Sequence, residues 1–96
     1  MKEKKEINPV EVKAVSDNTI YIKYSDGLEG EVKLVYLLKK QEFDVLNNPE
    51  IFSKVSINEA NQDITWGNGL NICKNALHGQ LELIVLMKKL GLDIDA

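Results

Sequence analysis

The stretch Ile64–Leu77, ITWGNGLNICKNAL, decides how the rest of this chain is organised. It contains the only tryptophan, Trp66, and the only cysteine, Cys73, and the only histidine, His78, follows it directly. An extended Ile-Thr-Trp segment meets a Gly-Asn-Gly turn, after which the chain enters its most apolar segment. We therefore expect sheet before this stretch and helix after it.

Length and composition predict one small globular domain. The chain has 96 residues, 44% hydrophobic and 28% charged, which is enough for one core and is typical of folded rather than disordered proteins. A single cysteine excludes an internal disulfide and favours a reducing compartment. The longest apolar run, Leu83–Met87, is far too short to span a bilayer. These features predict a soluble cytoplasmic protein.

The charge of the chain argues against nucleic acid as a direct partner. The net charge is −3, and all twelve basic residues are lysines. Arginine is the residue that most often binds guanine edges and phosphates through two hydrogen bonds. A chain without arginine and with an acidic balance lacks the electrostatic surface expected of a nucleic-acid-binding domain.

Three segments with apolar residues at alternate positions predict an antiparallel sheet with one buried face. Even-numbered residues form that face: Val10, Val12 and Ala14; Ile20, Ile22 and Tyr24; Leu28, Val32 and Leu34. Opposite charges alternate on the other face: Lys13, Lys23 and Lys33 with Glu11, Glu29 and Glu31. This second face is either a charged docking surface or a solvated surface with weak ion pairs.

The parity of the inward residues predicts the length of both hairpin loops. Residues that pair directly share a face, so their numbers must add to an even value. Three-residue loops satisfy this rule, with Val15 opposite Thr19 and Tyr24 opposite Leu28. The rule predicts left-handed conformations at Asn18 and at Gly27.

The middle of the chain predicts short helices and a second hairpin. A helical turn is expected over Val35–Lys40, followed by Phe43 and Leu46 in the core. Asn48, Pro49 and Glu50 have the order typical of a helix start, and the helix brings Ile51 and Phe52 inward. Strands are expected over Lys54–Ile57 and Ile64–Trp66. The predicted fold is α+β, with an antiparallel sheet of about five strands, short helices and a C-terminal helix.

A helix from about Asn75 to Leu90 has two apolar faces. At about 100° per residue, one face carries Leu77, Leu81, Ile84 and Val85, and the other carries Leu83, Leu86, Met87 and Leu90. The sheet can cover only one of them, so we expect the second face to form a homodimer interface or to bind a small protein. Gly79 is a candidate break in this helix, and Gly91 a candidate end.

The predicted organisation is a flexible leader over residues 1–8, an antiparallel α+β domain over 9–78, and a C-terminal helix and tail over 79–96. Trp66 is expected in the core, with Gly67 and Gly69 forming a tight turn. Asn68 and Asn71 can pin this turn by hydrogen bonds to the local backbone.

The residues that could carry catalysis or bind metal are few. Cys73 and His78 could form a nucleophile and base, but they lie five positions apart, about 140° around a helix. The alternative is a buried cysteine and a surface histidine. One cysteine and one histidine cannot complete a zinc site. Acidic residues that could bind a hard cation, without calcium-loop spacing, are Asp93, Asp95, Asp63 and Glu59. We predict no catalytic residues, no cofactor and no metal.

Several motifs resemble those of a bacterial family known as domain of unknown function 2442. They span Asn8–Leu77: Val12 to Val15, Tyr24 with Asp26-Gly27, Asn48-Pro49-Glu50-Ile51-Phe52, and Trp66-Gly67-Asn68-Gly69-Leu70-Asn71-Ile72. Asn71 stands where the family has aspartate. Lys74 and His78 stand where it has proline and tyrosine.

The resemblance implies an α+β fold without an established function. Some members of the family resemble the N-terminal half of a longer protein with a helix-turn-helix behind it. Others are small proteins encoded near a toxin–antitoxin-like partner. The eighteen or so residues after Leu77 leave room for one helix, so we expect no DNA-binding arm here.

Three functional hypotheses follow. The first is a non-enzymatic interaction module that pairs with itself or with a small protein through the C-terminal helix. The second is an antitoxin-like or transcription-associated regulator without its own DNA-binding arm. The third is a small hydrolase or transferase that uses Cys73 or His78.

Overall fold

A computed structural model describes residues 7–67 and 69–91 of the chain. These residues form an α+β fold, as predicted. One antiparallel sheet contains β1 (Pro9–Ala14), β2 (Thr19–Tyr24) and β3 (Glu29–Lys33). A second contains β4 (Ser56–Ile57), β5 (Ile64–Thr65) and β6 (Asn71–Ile72). The helices are α1 (Pro49–Phe52) and α2 (Lys74–Lys89), with 3₁₀ helices over Leu37–Lys39 and Gln41–Asn47.

The register of the first sheet confirms the parity rule. Ala14 pairs with Ile20 in the first hairpin, and Ile20 pairs with Val32 in the next strand pair. Both hairpins close around three-residue loops: the Val15 N–H donates to the Thr19 carbonyl at 3.0 Å, and the Tyr24 N–H donates to the Leu28 carbonyl at 2.8 Å. The even-numbered residues of β2 therefore face the core.

The two loops reach this geometry by different means. Gly27 has φ +93°, in the left-handed region where a side chain is disfavoured. The left-handed conformation predicted for Asn18 is wrong, because Gln62 is the only non-glycine residue with positive φ among those described. Asn18 instead accepts a hydrogen bond from the Thr19 hydroxyl at 2.8 Å, and its carbonyl accepts one from the Leu34 N–H at 2.7 Å.

The start of β1 also departs from the prediction. Val10 was expected to face the core, but 56% of its surface is exposed, whereas Pro9 is buried. Pro9 pairs with Tyr24 and Glu11 pairs with Lys23, so Val10 is an extra residue in a β-bulge. Proline has no N–H for the ladder and fits the first position of an edge strand.

The middle of the chain folds as its residue types predict. The Glu50 N–H donates to the Asn48 side chain at 3.0 Å, and Pro49 occupies the first turn of α1. Phe43, Leu46 and Phe52 are buried. The 3₁₀ helix over Gln41–Asn47, which was not predicted, places the first two of these side chains in the core.

The second sheet has one strand more than expected. Its first two strands are shorter than the predicted Lys54–Ile57 and Ile64–Trp66, and β6 was not predicted. The Trp66 N–H donates to the Leu70 carbonyl at 3.0 Å, so the Gly-Asn-Gly segment turns the chain back into a hairpin before α2 begins. A two-residue strand is too short to show an alternating pattern.

Both sheets and α2 contribute to one core. Leu77 and Leu81 of α2 are buried, and α2 packs against β3. Helix α2 is continuous through Gly79, so the break considered there is wrong, and it also crosses the predicted domain boundary at residue 78. The three-part division stays a prediction, since residues 1–6 and 92–96 lie outside the described residues. Gly91, with φ +77°, follows the end of the helix.

Two glycine-to-alanine changes test how closely α2 packs on β3. A Cβ at Gly30 would lie 3.0 Å from the Leu81 Cδ1, and Leu81 is fully buried. We expect Gly30→Ala to lower the free energy of unfolding by about 1–3 kcal/mol, because the core is overpacked.

The matched control is Gly79→Ala. A Cβ there meets no other atom within 4 Å, so this change should raise stability by about 0.5–1 kcal/mol. Urea unfolding followed by Trp66 fluorescence measures both. Equal effects of the two variants would contradict the close approach of Gly30 and Leu81.

Candidate functional site

The start of α2 is held by polar contacts from three other segments, which meet at Lys74. The Asp63 side chain accepts a hydrogen bond from the Lys74 N–H at 3.0 Å and so serves one of the free donors at the helix start. The Tyr24 hydroxyl donates to the Lys74 carbonyl at 2.9 Å. The Lys74 ammonium donates to Asn8 at 2.6 Å. These contacts fix the position of α2 relative to the first sheet. We call this set of contacts between α2 and the first sheet the joint.

His78 continues this joint one turn further along α2. Its Nε2 donates to the Asp26 carboxylate at 2.9 Å, and its Nδ1 lies 3.8 Å from the Glu82 carboxylate. Its ring packs edge-on against Tyr24, with 4.6 Å between the ring centroids. His78 therefore joins the β2–β3 loop to α2.

The electrostatic state of this joint favours a charged Asp26. The hydrogen bond from the Leu28 N–H and the one from His78 hold the pKa of the Asp26 carboxyl below its usual range. Burial raises the pKa of the Tyr24 phenol, so Tyr24 stays a neutral donor to the Lys74 carbonyl.

The arrangement does not join Cys73 to His78. Cys73 is exposed, contrary to the expected buried position, and it occupies the position just before α2. Only 14% of the His78 side chain is exposed, so the expected surface histidine is largely covered. Carboxylates face both nitrogens of the ring. A general base needs a nitrogen within reach of a substrate proton, so this geometry suits a structural contact.

The Trp66 segment serves to connect elements. Trp66 is buried, and its indole N–H donates to the Phe52 carbonyl at 3.0 Å. The Trp66 and Phe52 rings are stacked, with 5.8 Å between their centroids. Gly67 and Gly69 have φ +88° and +80°. Thr65 supports the turn, because its hydroxyl accepts a hydrogen bond from the Gly67 N–H at 3.0 Å.

Of the two asparagines in this motif, the structure describes only Asn71. Asn71 is exposed in β6 and pairs with Thr65. Asn68, which was also expected to support the turn, lies outside the described residues. Thr65 was not among the predicted site residues, although its position two residues before a glycine is typical of side chains that bind a turn backbone.

The outer face of α2 groups three of the exposed large apolar side chains of the described residues. We use this term for Leu83, Leu86, Met87 and Leu90. Leu83, Leu86 and Leu90 are 55%, 51% and 65% exposed, and Met87 is partly exposed. They lie on the side of the helix opposite Leu77 and Leu81, as the projection predicted. Interaction surfaces are commonly built from such contiguous apolar patches.

A shallow groove of about 310 Å³ lies under the C-terminal half of α2, beside β3. Glu29 and Glu31 line it from the strand, and Lys88 and Lys89 line it from the helix. Lys88 lies about 150° around the helix from the middle of the outer face, on the side toward β3.

Neither a metal centre nor a membrane span is present in the described parts of the chain. No group of three or more histidine, cysteine, aspartate or glutamate side chains is close enough there to hold a metal ion. Asp63 is used to hold the start of α2, and Asp93 and Asp95 lie outside the described residues. None of the described helices has the length and apolar composition needed to cross a bilayer.

Comparison with known proteins identifies a family. The model of the family described as "Protein of unknown function (DUF2442)" matches residues 9–80. No curated protein matches the chain. A similar solved structure is the crystal structure of "Putative DNA Binding Protein NE0471" from Nitrosomonas europaea, with a TM-score of 0.76 and 18% sequence identity. The match covers 97% of this chain but 66% of that protein, and at this identity it shows the fold alone.

The joint at His78 makes a prediction about pH. Since folding lowers the pKa of Asp26, its charge stabilises the fold above the unfolded pKa of about 3.9, and this contribution is lost as the pH falls through the lower folded value. Asp26→Asn keeps an acceptor for the Leu28 N–H but removes the charge near His78. We expect the variant to be less stable than the parent at about pH 7, and the difference to shrink at about pH 3.

Urea unfolding at the two pH values measures this difference. The matched control is Asp17→Asn, in the loop of the other hairpin, which should behave like the parent at both values. A stability gap for Asp26→Asn that is the same at both pH values would contradict the assignment.

Proposed function

We propose that this chain, which belongs to the DUF2442 family of proteins of unknown function, is a non-enzymatic interaction module that acts through the outer face of α2. The observation that carries the proposal is the exposure of Leu83, Leu86 and Leu90 on one side of a helix whose other side is buried. Exposing three leucines together is costly in water, and covering them stabilises a complex.

The partner is a second copy of the chain or a small protein with a complementary apolar surface. A helix of sixteen residues is about 24 Å long and about 10 Å wide. A contact along one such face is smaller than the roughly 800 Å² that each partner buries in a standard interface. We therefore expect self-association with a dissociation constant on the order of micromolar or weaker.

A non-enzymatic role is supported by the polar groups. His78 is hydrogen-bonded to Asp26, and Cys73 lies in an exposed position before α2. An exposed lone thiol also favours the cytoplasm as the setting, because reducing conditions keep it free. If either residue carried catalysis, Cys73→Ser or His78→Ala would abolish an activity. We expect neither to do so.

A regulator of the antitoxin-like or transcription-associated kind is the second candidate. The description of NE0471 as a putative DNA-binding protein favours it. Its surface would be the outer face of the first sheet, where Lys23 lies between Glu11 and Glu29. Tyr21 donates to Glu29 there, and this hydrogen bond raises the pKa of Tyr21 to about 12. Because Tyr21 and Glu29 already interact with each other, and opposite charges alternate across this face, we rank it below the outer face of α2.

Direct contact with nucleic acid is not part of the proposal. The chain has no arginine, its net charge is −3, and the lysines of the first sheet alternate with glutamates. In fluorescence anisotropy with labelled duplex DNA at low salt, we expect no saturable binding up to about 100 µM, the weak end of ordinary non-specific affinity. Binding that weakens as salt is added would overturn this expectation.

Self-association is tested by sedimentation equilibrium over a wide range of protein concentration. We expect the parent to associate at high concentration, and Leu86→Glu to weaken association by about tenfold or more, because a charge would be buried in the contact. Leu86 is exposed, so the substitution should leave the folded monomer intact.

The matched control is Val45→Glu, which places the same charge at a residue 45% exposed on a 3₁₀ helix. It should associate like the parent. A parent that stays monomeric throughout would contradict self-association. The alternative is then tested by titrating the chain with the purified product of a neighbouring gene, using Leu86→Glu as the negative control.

A further inference from the structure

The charges beside the outer face of α2 indicate how two copies would meet. Glu82 and Lys89 lie on one flank of this face, at about 100° and 80° from Leu81 around the helix. They are seven positions apart, so they lie on the same side of the helix two turns from each other. The Glu82 side chain is 63% exposed, and its only ion-pair contact in the described chain is the 3.8 Å approach of His78.

Lys89 is the complementary group. It is exposed at the last position of α2, where the flank of the outer face meets the groove beside β3. No carboxylate lies within 4.0 Å of its ammonium in the part of the chain that the structure describes. Each copy therefore offers one negative and one positive group along the same edge of its apolar stripe.

We infer that α2 pairs with α2 of a second copy in antiparallel orientation, with Glu82 of each copy facing Lys89 of the other. The inference rests on the proposed function, since it specifies the partner of the same face. In an antiparallel pair of helices related by a two-fold axis, the same flank of each helix meets. The charges on that flank then form two equivalent pairs.

The apolar residues favour a register close to the one that pairs these charges. With the two-fold axis between Leu86 and Met87, Leu83 lies opposite Leu90 of the other copy, and Leu86 lies opposite Met87. All four apolar side chains are then covered. In this register Glu82 lies opposite Gly91 of the other copy, so its partner Lys89 is displaced by two residues, about 3 Å along the helix. The long, flexible lysine side chain spans that distance. A register centred on Leu83 would leave Leu90 without a partner.

A parallel pair is disfavoured by the same charges. It would place Lys88 and Lys89 of both copies side by side at the C-terminal ends of the helices, and like charges repel at such distances. It would also place Glu82 opposite Met87, which offers no charge. In the antiparallel pair the lysines of the two copies lie at opposite ends. The two helix dipoles then point in opposite directions, which is favourable.

The only cysteine of the chain reports the orientation directly. Cys73 is exposed, directly before α2, so a nitroxide label can be attached to the native sequence. In the antiparallel pair the two labels lie about thirteen residues from the axis on opposite sides, which separates them by roughly 40 Å along the helices. In a parallel pair they lie at one level, within roughly 20 Å. Pulsed electron–electron double resonance, at a protein concentration where the chain associates, distinguishes these distances.

A charge exchange tests the proposed pairs. Glu82→Lys and Lys89→Glu should each weaken association by about threefold to thirtyfold, because two pairs become repulsive. The double variant Glu82→Lys with Lys89→Glu should restore the parent dissociation constant within about threefold. Lys88→Glu is the matched control, since Lys88 points toward β3, and it should associate like the parent.

The outcomes separate this inference from the proposed function. A distance near 40 Å with recovery in the double variant supports the antiparallel pair. Association with a short distance, or without recovery, overturns the pair and leaves the outer face of α2 as the interaction surface. A parent that does not associate at all overturns the pair, and then only the small-protein partner of the proposed function is left.

Discussion

The contact between α2 and the first sheet is the constraint on which the rest of the structure depends. Leu77 and Leu81 are buried there, and a Cβ at position 30 of β3 would lie 3.0 Å from the Leu81 Cδ1, closer than ordinary van der Waals contact. A helix has one orientation about its own axis, so burying these two leucines fixes which residues face away. The outer face of α2 is exposed for that reason. Packing inside the chain does not explain why it is apolar, and exposed apolar patches of this kind commonly mark interaction surfaces.

A set of polar contacts holds the start of the same helix. Lys74 receives contacts from Asp63, Tyr24 and Asn8, and His78 binds Asp26 in the loop between β2 and β3. These groups come from positions far apart in the chain, and all of them have partners. Side chains that at first suggest catalysis, the lone histidine above all, here align a helix with a sheet.

Local patterns predicted the parts of the fold that depend on neighbouring residues. The parity of apolar positions gave the register of both hairpins, and the order Asn48, Pro49, Glu50 gave the start of α1. Predictions were wrong where a long-range contact decides the local conformation. The bulge at Val10, the conformation of Asn18 and the continuity of α2 through Gly79 all depend on partners distant in sequence or on packing.

The sequence by itself determined the family, the α+β class, the three-stranded first sheet and the presence of two apolar faces on α2. These follow from periodicity and from short motifs, which are local properties. Only the tertiary structure decided that Asp26 and not Cys73 is the partner of His78, and that the chain from Trp66 to Leu70 closes a hairpin. The reason is that hydrogen bonds and packing between distant segments leave no periodic trace in the chain. The residues of the stretch from Ile64 to Leu77 identify the family, and the contacts of this stretch set where α2 begins and how it lies on the sheet.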